Sequence, residues 1–132
     1  MIITDVDIEK AEQVLLSDGI HFDSERRLFI KDLESCDLLA VPGSGKTTAL
    51  QAKLICMARH LPLEENKGIL VLSHTNNAVN EVKKKLRTEC YSLLDAPHFI
   101  GTVQDFVDNL MAIPGLIPIF HEFKASFPFV FE

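Results

Sequence analysis

Leu38-Leu39-Ala40-Val41-Pro42-Gly43-Ser44-Gly45-Lys46-Thr47-Thr48 is the stretch on which the fold turns. It opens with a short continuous apolar run, which reads as a strand covered on both faces. Pro42-Gly43-Ser44-Gly45 breaks that strand. From Lys46 to about His60 the pattern becomes helical, with Leu50, Leu54, Met57 and Leu61 on one face and Pro62 as the stop. A strand, a glycine-rich turn and a helix in that order are the setting a phosphate-binding loop requires. Gly43 and Gly45 allow main-chain N–H groups to turn inward. Together with the helix N-terminus, those groups hold phosphate oxygens. Lys46 is placed to reach the outer phosphates, and the Thr47 hydroxyl to ligate a Mg²⁺ carried by the nucleotide. Ala40, Pro42, Ser44 and Thr48 complete the expected cradle, with Ala40 standing where the strict Walker A pattern has glycine.

Outward from the loop, strand and helix alternate. Residues 68–73 (GILVLS) read as a second buried strand. Residues 75–89 read as a helix with Ala78, Val79, Val82 and Leu86 inward and Lys83, Lys84 and Arg87 outward. Residues 98–101 (HFIG) are a third strand, and 102–111 a helix with Val103, Phe106, Val107 and Leu110 inward. Such alternation predicts an α/β fold, a P-loop NTPase core with a short parallel sheet between layers of helix. Upstream, 5–17 and 24–33 read as helices. Val6, Ala11, Val14 and Leu15 form the apolar positions of the first, Leu28, Phe29 and Leu33 those of the second, with Asp23 as N-cap. The organisation expected is a helical segment at 1–36, the core at 37–112, and an apolar tail at 113–132. The tail holds five of the nine phenylalanines, and its expected place is against the domain, against a further segment or in self-association.

Composition narrows the classes. Hydrophobic residues are 47% and charged residues 24% of the 132, the balance of one ordinary globular domain. The net charge of −6 is uneven: residues 1–37 carry ten acids and four bases, residues 38–112 seven acids and eight bases. A nucleic-acid surface therefore has to be local and to lie in the middle segment. No stretch is long and apolar enough for a membrane span, and the acidic start is unlike a signal peptide, so a cytoplasmic protein is expected. Cys36, Cys56 and Cys90 form no CxxC pair and the histidines no ligand spacing, so neither a zinc cage nor a disulfide framework is expected.

Three blocks in sequence order carry a resemblance. LLAVPGSGKTTAL (38–50) resembles motif I, VLSHTNNAVNEVKKKL (71–86) motif Ia, and IGTVQDFVDNL (100–110) motif Ib of superfamily 1A DNA helicases of the UvrD/PcrA/Rep type. The resemblance covers about residues 22–112. It implies a RecA-like first motor domain, incomplete at its C-terminus, in an ATP-dependent helicase that moves along single-stranded DNA. By that resemblance ATP and Mg²⁺ are the cofactors, Lys46 and Thr47 the catalytic positions, and Ser73, His74, Thr75, Asn76, Thr102 and Gln104 the residues beside the DNA. Hydroxyls, amides and helix N-termini suit phosphate contact. Thr75 and Thr102 also fit as plain helix N-caps.

Two departures stand out. The family's adenine-reading glutamine has no counterpart in Phe22-Asp23-Ser24-Glu25-Arg26-Arg27, where Glu25 and Arg26 come nearest. No acidic Walker B pair follows Val103, and Phe127–Val130 leads only to Glu132. The second motor domain is also missing. The chain is therefore expected to be an N-terminal fragment that binds nucleotide weakly and does not hydrolyse it alone. The alternatives are a non-catalytic interaction module derived from a helicase and a different P-loop enzyme such as a small nucleotide kinase.

Overall fold

A computed structural model describes residues 1–34, 37–38, 45–112 and 128–131. Five helices are seen: α1 (Asp5–Leu15), α2 (Ser24–Lys31), α3 (Lys46–Ala58), α4 (Asn76–Glu89) and α5 (Val103–Ala112). The strands are β1 (Asp37–Leu38), β2 (Leu70–Ser73), β3 (Phe99–Thr102) and β4 (Pro128–Phe131). They form one four-stranded sheet in the order β1-β4-β2-β3, and every neighbouring pair is parallel. The α/β class and the parallel sheet expected from the sequence are therefore present. β4 was not anticipated. Four residues of the apolar tail enter the interior of the sheet and separate β1 from β2.

The helices begin where local chemistry says they should. Thr4 caps α1 in a reciprocal box, its Oγ1 accepting from the Asp7 N–H at 3.4 Å while Asp7 Oδ2 accepts from the Thr4 N–H at 3.0 Å. Asp23 caps α2 through the Arg26 N–H at 2.8 Å. Thr75 caps α4 through Ala78 at 3.4 Å, and Thr102 accepts from the Asp105 N–H at the start of α5 at 3.0 Å.

α3 is the centre of the helical layer. Every residue from Ala49 to Met57 is buried, because α1 and α2 pack on it together with α4. Burial on all sides suits its Ala, Leu, Ile, Cys and Met content but also encloses two polar side chains. Gln51 Nε2 donates to the Glu81 carbonyl of α4 at 3.4 Å. Lys53 is fully buried, donates to the Phe29 carbonyl at 3.2 Å and lies 4.5 Å from the centre of the Phe29 ring. The carbonyl and the π face offset the cost of taking an ammonium out of water. Below this layer Ile69, Val71 and Ile100 of the sheet region join Val82, Leu86 and Leu93 in the same core. α4 and α5 both pack on β2 and β3.

The apolar faces differ from expectation in three helices, and in α5 the residue that departs is Val107, 41% exposed. In α1 the buried residues are Asp7, Ile8, Ala11 and Glu12, whereas Val6 is 57% exposed. In α2 Ile30 is the buried residue and Leu28 is 70% exposed. Two carboxylates take the inward places in α1 because each is hydrogen-bonded there. Asp7 receives Thr4 and contacts His60 at 3.3 Å, and Glu12 receives the Phe22 N–H, His21 and Arg27.

Candidate nucleotide and nucleic-acid site

The parallel register sets the carboxyl ends of all four strands in one row. Leu38 of β1 is opposite Phe131 of β4, Phe131 is opposite Ser73 of β2, and Ser73 is opposite Thr102 of β3. The segment after β1 is the glycine-rich loop. The segments after β2 and β3 carry the residues read as motifs Ia and Ib. One edge of the sheet therefore gathers residues that lie far apart in sequence. The strand order also reverses there, because the chain passes from β1 to β2 to β3 and then returns to β4 between them. Open parallel sheets take their ligands at such an edge.

Of the expected phosphate cradle, Ala40, Pro42, Gly43 and Ser44 lie outside the described residues. Gly45, Lys46, Thr47 and Thr48 are described. Gly45 is the N-cap of α3 with φ 74° and ψ 8°, the left-handed conformation that suits glycine. Its carbonyl starts the helix by accepting from Ala49 N–H at 3.1 Å. Gly45 has no side chain with which to cap the first turn, so the N–H groups of Lys46, Thr47 and Thr48 have no intrahelical acceptor. That first turn is only half-buried before the helix passes into full burial at Ala49. Gly45→Ala should therefore lower stability by about 1–2 kcal/mol through the left-handed backbone alone. An added Cβ would also stand 3.4 Å from the Arg26 guanidinium. Urea unfolding of the two chains measures the difference, and no change in midpoint would mean that this φ is not held.

The six residues expected beside DNA divide into two groups. Ser73 is fully buried and Thr102 is 7% exposed. The Ser73 hydroxyl accepts from the Thr75 N–H at 3.2 Å, and Thr102 caps α5. These two shape the loops from inside. His74, Thr75, Asn76 and Gln104 are exposed. Thr75 uses its oxygen as the cap of α4, and Gln104 Nε2 donates to Asp108 at 2.9 Å across one helical turn. On α4, Lys84 and Arg87 are exposed, while Lys85 is tied to the Val14 carbonyl at 3.2 Å.

Away from that edge, titratable groups are set by burial and hydrogen bonds. Burial lowers the pKa of His98, whose Nδ1 accepts from the Ile69 N–H at 3.0 Å, so its proton sits on Nε2. Burial pushes the Cys56 thiol up to about 12 and Cys90 to about 11, which keeps both protonated and unreactive. Cys36 lies outside the described residues. No cluster of three metal-ligating side chains occurs among the described residues, and none of their helices is long and apolar enough to cross a membrane.

Sequence reasoning also passed over a cavity of about 240 Å³ against the start of α3, lined by Ile20, His21, Phe22, Asp23 and Arg26 together with Gly45 and Thr48. The only signal for it was the odd composition of residues 22–27. Of the two side chains placed nearest by the sequence, Arg26 lines the cavity and Glu25 does not.

The fold and the row of strand ends define a parallel α/β domain whose strands all end on one edge. Residues 24–126 match the model of the UvrD/REP helicase N-terminal domain, and the chain belongs to that family. No curated protein and no solved structure matches the chain.

Proposed function

We propose that the chain is the ATP-binding N-terminal portion of the first RecA-like motor domain of an ATP-dependent DNA helicase that translocates on single strands. The observation that supports this most directly is the alignment of Leu38, Phe131, Ser73 and Thr102 across the sheet. The segments that follow β1, β2 and β3, read here as the phosphate loop and the two DNA loops, start from that one edge, so a change at the nucleotide would reach the DNA through a few residues of sheet. In this reading residues 40–48 cradle the triphosphate. Lys46 balances charge on the outer phosphates and Thr47 holds Mg²⁺. The described residues fit such a group: a left-handed glycine, the N–H groups of a first helical turn that have no intrahelical acceptor, and a lysine stand in succession at the start of α3.

β4 adds a feature the sequence had hidden. It lies between the phosphate-loop strand and β2, and the sequence places an acid, Glu132, directly after it. An acidic pair is not needed for binding, and the 132-residue chain is expected to bind nucleotide without turning it over.

DNA contact is assigned to the exposed His74, Thr75, Asn76 and Gln104, with Ser73 and Thr102 holding their loops. Those groups can engage only a few phosphates. Anisotropy titration of a labelled oligothymidylate at several salt concentrations tests this. Hydroxyls and amides engage phosphate without a formal charge, so few counterions are released and the log–log slope should be small, about −1. Joint replacement of His74 and Asn76 by alanine should weaken binding about tenfold, since one stacked ring and one amide are lost. Affinity independent of salt, or unaffected by the double replacement, would remove the DNA assignment.

A further inference from the structure

The solvent side of α1 and α2 carries apolar side chains next to unpaired acids, and none of the assigned roles uses it. In α1 Asp7, Ile8, Ala11 and Glu12 face inward, while Val6, 57% exposed, stands on the opposite side with Glu9 one turn further on. In α2 Ile30 faces inward, while Leu28, 70% exposed, stands opposite it, with Glu25 a turn before and Asp32 a turn after. An ion-pair seam joins the two helices: Asp5 Oδ1 lies 2.7 Å from Lys31 Nζ and 3.5 Å from Arg27 Nη1. Val6 follows Asp5 and Leu28 follows Arg27, so an exposed apolar side chain flanks the seam on each helix. Ile2, 78% exposed, precedes the Thr4 cap at the head of α1.

Charge sets this face apart from a scatter of surface apolar residues. Arg26, Arg27 and Lys31 are each engaged by an acid of the same segment, Asp23, Glu12 and Asp5 respectively. Glu9, Asp18, Glu25, Asp32 and Glu34 meet no base among the described residues, and of the bases in that segment only Lys10 meets no acid there. The excess is therefore negative, and it lies beside the exposed apolar side chains. We propose that the outer face of α1 and α2 docks a basic amphipathic helix of another protein. The apolar stripe of that helix covers Val6, Leu28 and Ile2, and its lysines or arginines meet Glu9, Glu25 and Asp32. A helix supplies both kinds of contact because its apolar and charged positions recur every three to four residues, the spacing of Glu25, Leu28 and Asp32 themselves. Opposite charge speeds the encounter and fixes the register, and apolar burial holds the complex. The sign of the charge turns away DNA and anionic lipid. It also disfavours a second copy of the same face, which would set acid against acid.

Anisotropy titration of the 132-residue chain into a labelled helix-forming peptide of about 18 residues, leucines on one face and lysines on the other, tests the proposal. The same peptide with glutamate in place of lysine is the control, and it should bind at least about tenfold more weakly. Val6→Ser with Leu28→Ser should weaken binding of the lysine peptide about tenfold, because two apolar contacts are lost. Glu9→Gln with Glu25→Gln should weaken it about threefold and flatten its salt dependence. Failure of the lysine peptide to bind, or equal binding of both peptides, would overturn the proposal. Undiminished binding by the serine chain would reduce the effect to diffuse attraction between opposite charges, which also overturns it. Should the serine chain lose its helical circular dichroism, the glutamine chain decides, and unchanged affinity there removes this face. Sedimentation equilibrium supplies the remaining outcomes. A dimer of the 132-residue chain that Leu28→Asp abolishes would give the face to a second copy instead. A longer chain, carrying the second motor lobe, that no longer binds the peptide would show the face covered by its own remainder. Either result overturns the proposal.

Discussion

Lys46→Ala is expected to lower ATP hydrolysis by about 10²–10³-fold in a chain that carries this domain together with its second motor lobe, the usual cost of removing one preorganised charge from a reacting centre. In the 132-residue chain the same change should weaken nucleotide binding by about tenfold, the equivalent of about 1.4 kcal/mol. The reason is local. Lys46 is the first residue of α3, directly after a left-handed Gly45, on the half-buried turn whose N–H groups have no intrahelical acceptor. An ammonium there adds a mobile point charge to fixed main-chain dipoles. Lys46→Arg should fail nearly as badly, because a planar guanidinium does not replace the compact point charge of an ammonium. Fluorescent-nucleotide titration gives the affinity, and phosphate release in the longer chain gives the turnover. Far-ultraviolet circular dichroism should match wild type, since the side chain of residue 46 lies outside the continuous burial that starts at Ala49. Unchanged nucleotide affinity in Lys46→Ala would take the phosphate site away from α3.

Much of this was legible in the residues. Local signals carried the helices: Asp23 caps α2, Thr75 caps α4, and Val79, Val82 and Leu86 face inward at helical spacing. β2 and β3 fell on short apolar runs. β4 escaped because its identity depends on partners far along the chain. Pro128-Phe129-Val130-Phe131 has no period that separates a strand from an apolar tail, and pairing with β1 and β2 is decided by the sheet. Lys53 escaped for a different reason. A lysine in a helix is read as solvated, whereas the Phe29 carbonyl and ring help to give this one a place inside. The inward face of α1 was misread likewise, because Asp7 and Glu12 occupy positions that the pattern assigns to apolar residues. Thr75 and Thr102 admitted two readings from sequence, helix cap and DNA contact. The cap bonds are present in both; Thr75 is exposed and its hydroxyl proton stays available to a phosphate, whereas Thr102 is buried.

The buried carboxylate of Glu12 should be the most sensitive single point for stability. Its side chain is 3% exposed and accepts from the Phe22 N–H at 2.9 Å, from Arg27 Nη2 at 2.8 Å and from His21 Nδ1 at 2.8 Å. One group thus ties α1 to the loop before α2 and to α2 itself. Glu12→Ala leaves the Phe22 N–H buried and removes one partner of Arg27, which keeps the Phe22 carbonyl and Asp5. Breaking a fully buried pair costs about 3–5 kcal/mol. Here Arg27 is 26% and His21 65% exposed, so both can turn to water, and the low end applies. The expected loss is about 3 kcal/mol, near 10 °C in Tm for a chain of this size. Glu12→Gln keeps an acceptor for the Phe22 N–H but loses the charge, and should cost roughly 1.5 kcal/mol. The pH dependence has a definite sign. Burial opposes ionisation of Glu12 most strongly, but His21, the Phe22 N–H and Arg27 together outweigh it and hold the carboxyl below its ordinary 4.5. A depressed carboxyl stabilises the fold fully above the unfolded value, and that contribution disappears as pH falls through the folded one. Asp7 acts in the same direction, held below 3.8 first by the Thr4 N–H. Wild-type stability in urea should therefore be flat at neutral pH and decline from about pH 4.5 downward, with a shallower decline in Glu12→Gln. Parallel curves for the two chains over that acid range would mean that Glu12 is not the group being protonated.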